Sequence, residues 1–162
     1  MKEQPKKTII ELLLDNDKLI FTYDDLLDGE PLRCRGAQAF EKQHLRKGFT
    51  DKITVLRILD SRRENFKLSK AYAHKIDVVN VITAPEIEML VIFSEGKYNE
   101  YKKSGKKPSI YCKEDLKFGD VKSAKFLREY FKDINRLVNA VNEYKRVSKV
   151  RADEYALADL IK

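Results

Sequence analysis

Ile53-Thr-Val-Leu-Arg-Ile-Leu59 and Ile76-Asp-Val-Val-Asn-Val-Ile82 are the two runs on which the fold turns. Both are short, apolar and rich in β-branched residues. Such residues suit a pleated surface, so both runs read as buried strands. Each stops abruptly where polar or charged residues begin. The first delivers Asp60-Ser-Arg-Arg-Glu64, and the second delivers Thr83-Ala-Pro-Glu-Ile-Glu88. Open α/β sheets present their chemistry at the carboxyl ends of their strands, so function is expected at these two junctions.

The pattern changes to helix after the second run. Pro85 fits a first helical turn and Thr83 a cap position, and Glu86 and Glu88 are placed where the helix dipole favours negative charge. Ile87, Leu90, Val91 and Ile92 supply a buried face, and Gly96 ends the segment. A loop through Ser104, Gly105 and Pro108 follows. Further on, Ala124, Leu127, Phe131, Ile134, Leu137, Val138, Val141 and Tyr144 recur at three- and four-residue intervals. That spacing predicts a helical C-terminal portion with one apolar face, with a break near Asp133 or Asn135 open as an alternative to one long helix. Asp153–Ile161 reads as a last short helix.

Toward the N-terminus, residues 1–6 are expected to be disordered, and Thr8–Leu14 reads as a short helix or strand. Lys18–Tyr23 reads as a strand, and Asp24–Pro31 as a turn broken by Gly29 and Pro31. Arg35–Lys47 has helical spacing with Gly48 as its stop, and Leu68–His74 suits a short helix. The expected architecture is one α/β domain over residues 1–162. It has a small, mainly parallel sheet and a helical portion over residues 120–162.

The chain has 162 residues, 43% hydrophobic and 36% charged, which suits one domain with its own core and a heavily charged surface. Six glycines and four prolines exclude collagen-like or low-complexity chains. No window approaches the roughly 20 apolar residues of a membrane span, and no secretory apolar segment follows the basic N-terminus. No membrane association and a cytoplasmic location are therefore expected. Cys34 and Cys112 are far apart and His44 and His74 isolated. Free thiols and ordinary histidines are expected rather than a disulfide or zinc site. Phosphate-loop, dinucleotide-binding, zinc-protease and nucleophile-elbow motifs do not occur.

Lysine plus arginine number 33 against 26 acids, a net charge of +7. This permits attraction to nucleic acid without demanding it. The excess is uneven. Lys97, Lys102, Lys103, Lys106 and Lys107 crowd one stretch with Tyr98, Tyr101 and Tyr111 interleaved, and Lys145, Arg146, Lys149 and Arg151 form a second cluster. Lysines can neutralise phosphates while aromatics stack on bases; the plainer alternative is a solvated loop anchored by its tyrosines.

Asp60, Glu64, Glu86 and Glu88 are the acids best placed for chemistry, with Asp24, Asp25 and Asp28 as possible partners. Carboxylates converging at a sheet edge can hold Mg²⁺, which polarises a phosphodiester and activates water. The alternative for Glu86 and Glu88 is a dipole-complementing first turn. Arg62 and Arg63, beside Asp60, can pair with it or hold phosphate.

Asp60 after one strand, followed by Ala84-Pro-Glu-Ile-Glu-Met-Leu-Val-Ile-Phe93 after the next, resembles the RloB-like branch of Toprim proteins. The likeness covers roughly residues 53–93. Pro85 and Glu88 match that family's second motif, with Ile87 in its aromatic position. The chain departs at Arg62, which stands where the family carries a second acid, and it lacks a clear acid after a first strand. The resemblance implies a Toprim-like fold, a metal-dependent nuclease with Asp60, Glu64 and Glu88 catalytic, and Mg²⁺ on Asp60 and Glu88. It also implies a mobile-genetic-element context. DNA or RNA would meet Arg62, Arg63, Lys97, Lys102, Lys103, Lys106 and Lys107. The alternative is a non-catalytic interaction or inhibitor protein, bound to a protein partner, that keeps the fold without a working metal site.

Overall fold

A computed structural model describes residues 4–59, 65–83 and 87–162. Among these residues, β1 (Ile53–Leu59), β2 (Ile76–Ile82) and β3 (Tyr155–Ala156) form an all-parallel sheet in the order β1-β2-β3. Ile53 pairs with Ile76 and Leu59 with Ile82, so the two long strands run in full register. The chain is a small α/β fold with a helical C-terminal portion, as its patterning predicts.

Strand alternation divides the apolar residues of β1 between two cores. Leu56 and Ile58 face the main core, together with Val81 of β2. Ile53 and Val55 face a smaller cluster built on Ala37, Phe40, Leu45, Leu68 and Ile76. That cluster is thin, so the strands are less buried than their apolar runs predict. Most of β1 is half-buried, and Asp77 and Val78 of β2 are exposed.

The main core is helical. Helix α1 (Pro5–Asp15) begins at Pro5, inside the segment expected to be disordered, because proline's fixed φ suits a first helical turn. It buries Ile9, Ile10, Leu12, Leu13 and Leu14. Helix α2 (Ala37–Phe40) runs on into a π turn at Glu41–Leu45, and α3 (Lys70–Ala73) lies in the crossover between β1 and β2. Helix α4 (Glu88–Ser94) is apolar nearly all round, with Met89, Leu90, Val91 and Ile92 buried, as a helix enclosed by others must be. It packs against α6 (Pro108–Glu114) and α8 (Ile134–Val147).

Three further local readings change, and one open alternative is decided. The stretch expected to be a loop around Ser104 holds α5 (Tyr98–Ser104), which ends at Gly105 with φ +68°, and then α6, which opens on Pro108. Lys18–Tyr23 is not a strand; Leu19 makes a single antiparallel bridge to Ile161. Asp153–Ile161 contains β3, followed by a 3₁₀ turn at Leu157–Leu160. The C-terminal apolar stripe is two helices, α7 (Ala124–Tyr130) and α8. Ser123 caps the first by accepting from the Phe126 N–H, and Asp133 caps the second by accepting from the Asn135 N–H.

Candidate functional site

The carboxyl ends of β1 and β2 are tied together. The Thr83 N–H donates to the Leu59 carbonyl at 2.6 Å, and its hydroxyl donates to the same oxygen at 3.1 Å. The Tyr144 hydroxyl in turn donates to the Thr83 carbonyl at 3.0 Å. In the sequence Leu59 immediately precedes Asp60, and Thr83 immediately precedes Ala84. Asp60, Arg62, Arg63, Glu64 and Glu86 themselves lie outside the described residues.

Glu88 is the acid at this edge whose side chain is described. Helix α4 turns it away from solvent, leaving 1% of the residue exposed. The Lys122 ammonium sits 3.0 Å from its Oε1. Neither carboxylate oxygen has a geometrically sound hydrogen bond among the described residues. A buried carboxylate with open acceptor positions is costly to maintain, and it marks a place where a ligand's donors gain more than they would at the surface.

Glu88 forms part of the wall of an open pocket of about 290 Å³. One side is α6, through Ser109, Ile110 and Lys113; the other is the turn from Phe118 to Lys122. Lys117, with φ +62°, reverses the chain into this turn, and the Phe118 N–H donates back to the Cys112 carbonyl at 2.9 Å. The Phe118 ring is held against Phe126 and Tyr130, at centroid distances of 5.3 and 5.7 Å. The pocket is therefore lined by the apolar Ile110, Phe118 and Val121 together with Lys113, Lys122 and Asp120, while both Glu88 carboxylate oxygens are shielded from solvent.

The lysine-rich stretch divides in two. Lys97 pairs with Glu100 at 3.6 Å, and Lys106 pairs with Glu114 and Asp115 at 3.0 Å each. The hydrogen bonds to Asp115 and Glu114 raise the Lys106 pKa above its ordinary value. Lys102, Lys103 and Lys107 are exposed and make no ion pair among the described residues. The interleaved tyrosines turn inward. Tyr98 stacks on Phe93 at 4.8 Å, and Tyr101 meets the buried Tyr111 edge-on at 5.4 Å. Burial also raises the Tyr111 pKa. These rings anchor α5 and α6 to the core rather than presenting faces to bases. In the second basic cluster, Lys145 pairs with Asp159 and Arg146 with Glu143.

Among the described residues no three His, Cys, Asp or Glu side chains converge on a point where they would share a metal ion. The charge beside the Glu88 carboxylate is the Lys122 ammonium, 3.0 Å from Oε1. His44 contacts Asp28 at 3.1 Å, and neither Cys34 nor Cys112 forms a disulfide. No helix among the described residues is long and apolar enough to cross a membrane.

Sequence reasoning singled out Glu88 but missed its partner and the pocket. Lys122 lies 34 positions further along the chain, in a turn whose only local signal is Gly119-Asp120 ahead of the capping Ser123. No family model matches the chain, and neither do curated proteins or solved structures.

Proposed function

We propose that this protein binds nucleic acid, with exposed lysines of the α5–α6 region contacting the phosphates. The observation that carries this reading is the set Lys102, Lys103 and Lys107, exposed and without an ion pair among the described residues. Lys113 of α6, which lines the pocket, is exposed as well. Cations held by neighbouring acids release few counterions on binding, whereas unpaired ones drive salt-dependent association with a polyanion. The net charge of +7 supplies long-range attraction of the same sign.

The test is fluorescence anisotropy with labelled single- and double-stranded DNA and RNA across a salt series. Replacing Lys102, Lys103 and Lys107 together by Glu should weaken binding at every sequence alike. It should also flatten the salt slope by about 2 on single strands. Unchanged affinity and slope in the triple variant would sink the reading.

A second reading, metal-dependent strand cleavage of the RloB-like Toprim kind, draws on the tie between Leu59 and Thr83. Neighbouring strands that end together suit Asp60 and Glu88 as shared ligands of Mg²⁺, which would displace Lys122. Bound there, Mg²⁺ would polarise a phosphodiester. Cleavage with Mg²⁺ or Mn²⁺ that is lost in Asp60→Ala supports this second reading; binding without cleavage leaves the first alone.

A further inference from the structure

The positive charge of the chain is concentrated in one part of it. Residues 33–75 carry 12 Lys and Arg against 4 Asp and Glu, a net charge of +8, whereas the rest of the chain carries 21 against 22. This segment supplies β1, α2 with its π turn, α3 and most of the smaller apolar cluster. Phe40, Leu45 and Leu68 are buried there, while Lys42, Arg46, Lys47, Lys67, Lys70 and Lys75 are exposed and make no ion pair among the described residues. The fold gathers these cations on one small lobe. The Ser69 N–H donates to the Glu41 carboxylate, so Lys42 and Lys70 each adjoin a partner of that hydrogen bond. The Phe49 and Tyr72 rings meet at 6.4 Å, which brings the chain just after Arg46 and Lys47 against α3. Phe66 lies 6.1 Å from Phe40 and carries the Arg57 guanidinium 4.9 Å over its ring, so these aromatics are engaged in the packing of the lobe itself.

We propose that this lobe is a second phosphate-binding face, for the backbone of double-stranded nucleic acid, an inference that rests on the nucleic-acid reading above but on different side chains. A duplex presents one phosphate charge per about 1.7 Å of its axis, twice the density of one of its strands, and cations that neutralise it release counterions. Exposed cations spread over a lobe match that dense charge. Proteins that hold single strands add aromatic faces on which bases stack, and the rings of this lobe are turned to one another instead. A membrane surface calls for apolar side chains inserted among the cations. Among the described residues of 33–75 no large apolar side chain is exposed. A second copy of the chain brings the same charge to this face and is repelled.

The experiment measures anisotropy of short labelled DNA and RNA duplexes, and of their separated strands, across a salt series on the full chain. The proteins are wild type, a lobe variant carrying Lys42→Gln, Arg46→Gln and Lys70→Gln, and the α5–α6 triple variant described above. Wild type should bind duplex more tightly than single strand. The lobe variant should bind duplex about tenfold more weakly and flatten its salt slope by about 2–3, close to one phosphate per side chain removed. If the lobe variant does not fold, Arg46→Gln and Lys70→Gln taken singly should each flatten the slope by about 0.9. Wild-type affinity and slope in the lobe variant overturn the second face; a loss confined to the α5–α6 variant then leaves the first reading standing. Single strands bound as tightly as duplex overturn the duplex assignment. Binding to phosphatidylglycerol vesicles that depends on the lobe cations, with duplex binding indifferent to them, overturns it in favour of a membrane surface. Absence of binding to any nucleic acid overturns both readings.

Discussion

At the scale of single residues, the Glu88–Lys122 pair carries the most consequence. One partner is buried and the other half-exposed, so the two truncations are unequal. Lys122→Met leaves the carboxylate buried without its cation and should cost about 1–3 kcal/mol in urea unfolding. Glu88→Gln removes the charge that needed a partner and should cost less. A larger loss for Glu88→Gln than for Lys122→Met would show that the carboxylate, not its neutralisation, holds α4 in place. Asp159 gives a pH-dependent counterpart. The Lys145 ammonium bonded to it, helped by the Ala156 N–H, holds its pKa below the ordinary aspartate value despite partial burial. A depressed carboxylate stabilises the fold above its unfolded pKa of about 3.9 and loses that contribution as pH falls toward its folded value. Asp159→Asn should therefore be less stable at pH 7 by about 0.5–1 kcal/mol. The gap should close in acid below pH 4. A gap independent of pH would rule out the ion pair as its source.

At the scale of elements, caps and breakers decide where the helical stripe is cut. The apolar spacing from Ala124 to Tyr144 is compatible with one long helix, and Asp133 divides it by bonding the Asn135 N–H at 3.0 Å. The side chain satisfies an amide that a continuous helix would have bonded through its backbone. Asp133→Ala should destabilise by about 1 kcal/mol, measured as a lower urea midpoint at unchanged m-value. Little or no loss would mean that packing alone separates the two helices. Gly105 and Pro108 mark real boundaries, although the segment they punctuate is two helices rather than a loop. Turn residues locate breaks well, but they do not show what lies on either side of a break.

At the scale of the whole molecule, α4 is the element to which the others refer. Its apolar surface is covered by α6 and α8, and it is the next element after β2 in chain order. Leu137 of α8 is fully buried in the main core. Leu137→Ala should cost about 2–5 kcal/mol and lower the thermal midpoint of the chain as a single transition. Two separate transitions would show that the small cluster around Phe40 and Leu45 unfolds on its own. The parallel pairing of β1 with β2 was legible, because two β-branched runs separated by a crossover suit few other arrangements. β3 was not: Tyr155–Ala156 is too short to carry a period, and it exists only because β2 offers a free edge.

What the sequence determined by itself was the α/β class, the two long strands, the helical stripe and Glu88 as an acid just beyond a strand end. These follow from local periodicity and propensity. What only the tertiary structure decided was the environment of those residues. It turned Tyr98, Tyr101 and Tyr111 into anchors, divided the lysines between paired and unpaired, and set Lys122 against Glu88 beside an open pocket. Burial and ion pairing depend on contacts between distant parts of the chain, and no spacing along the sequence encodes them.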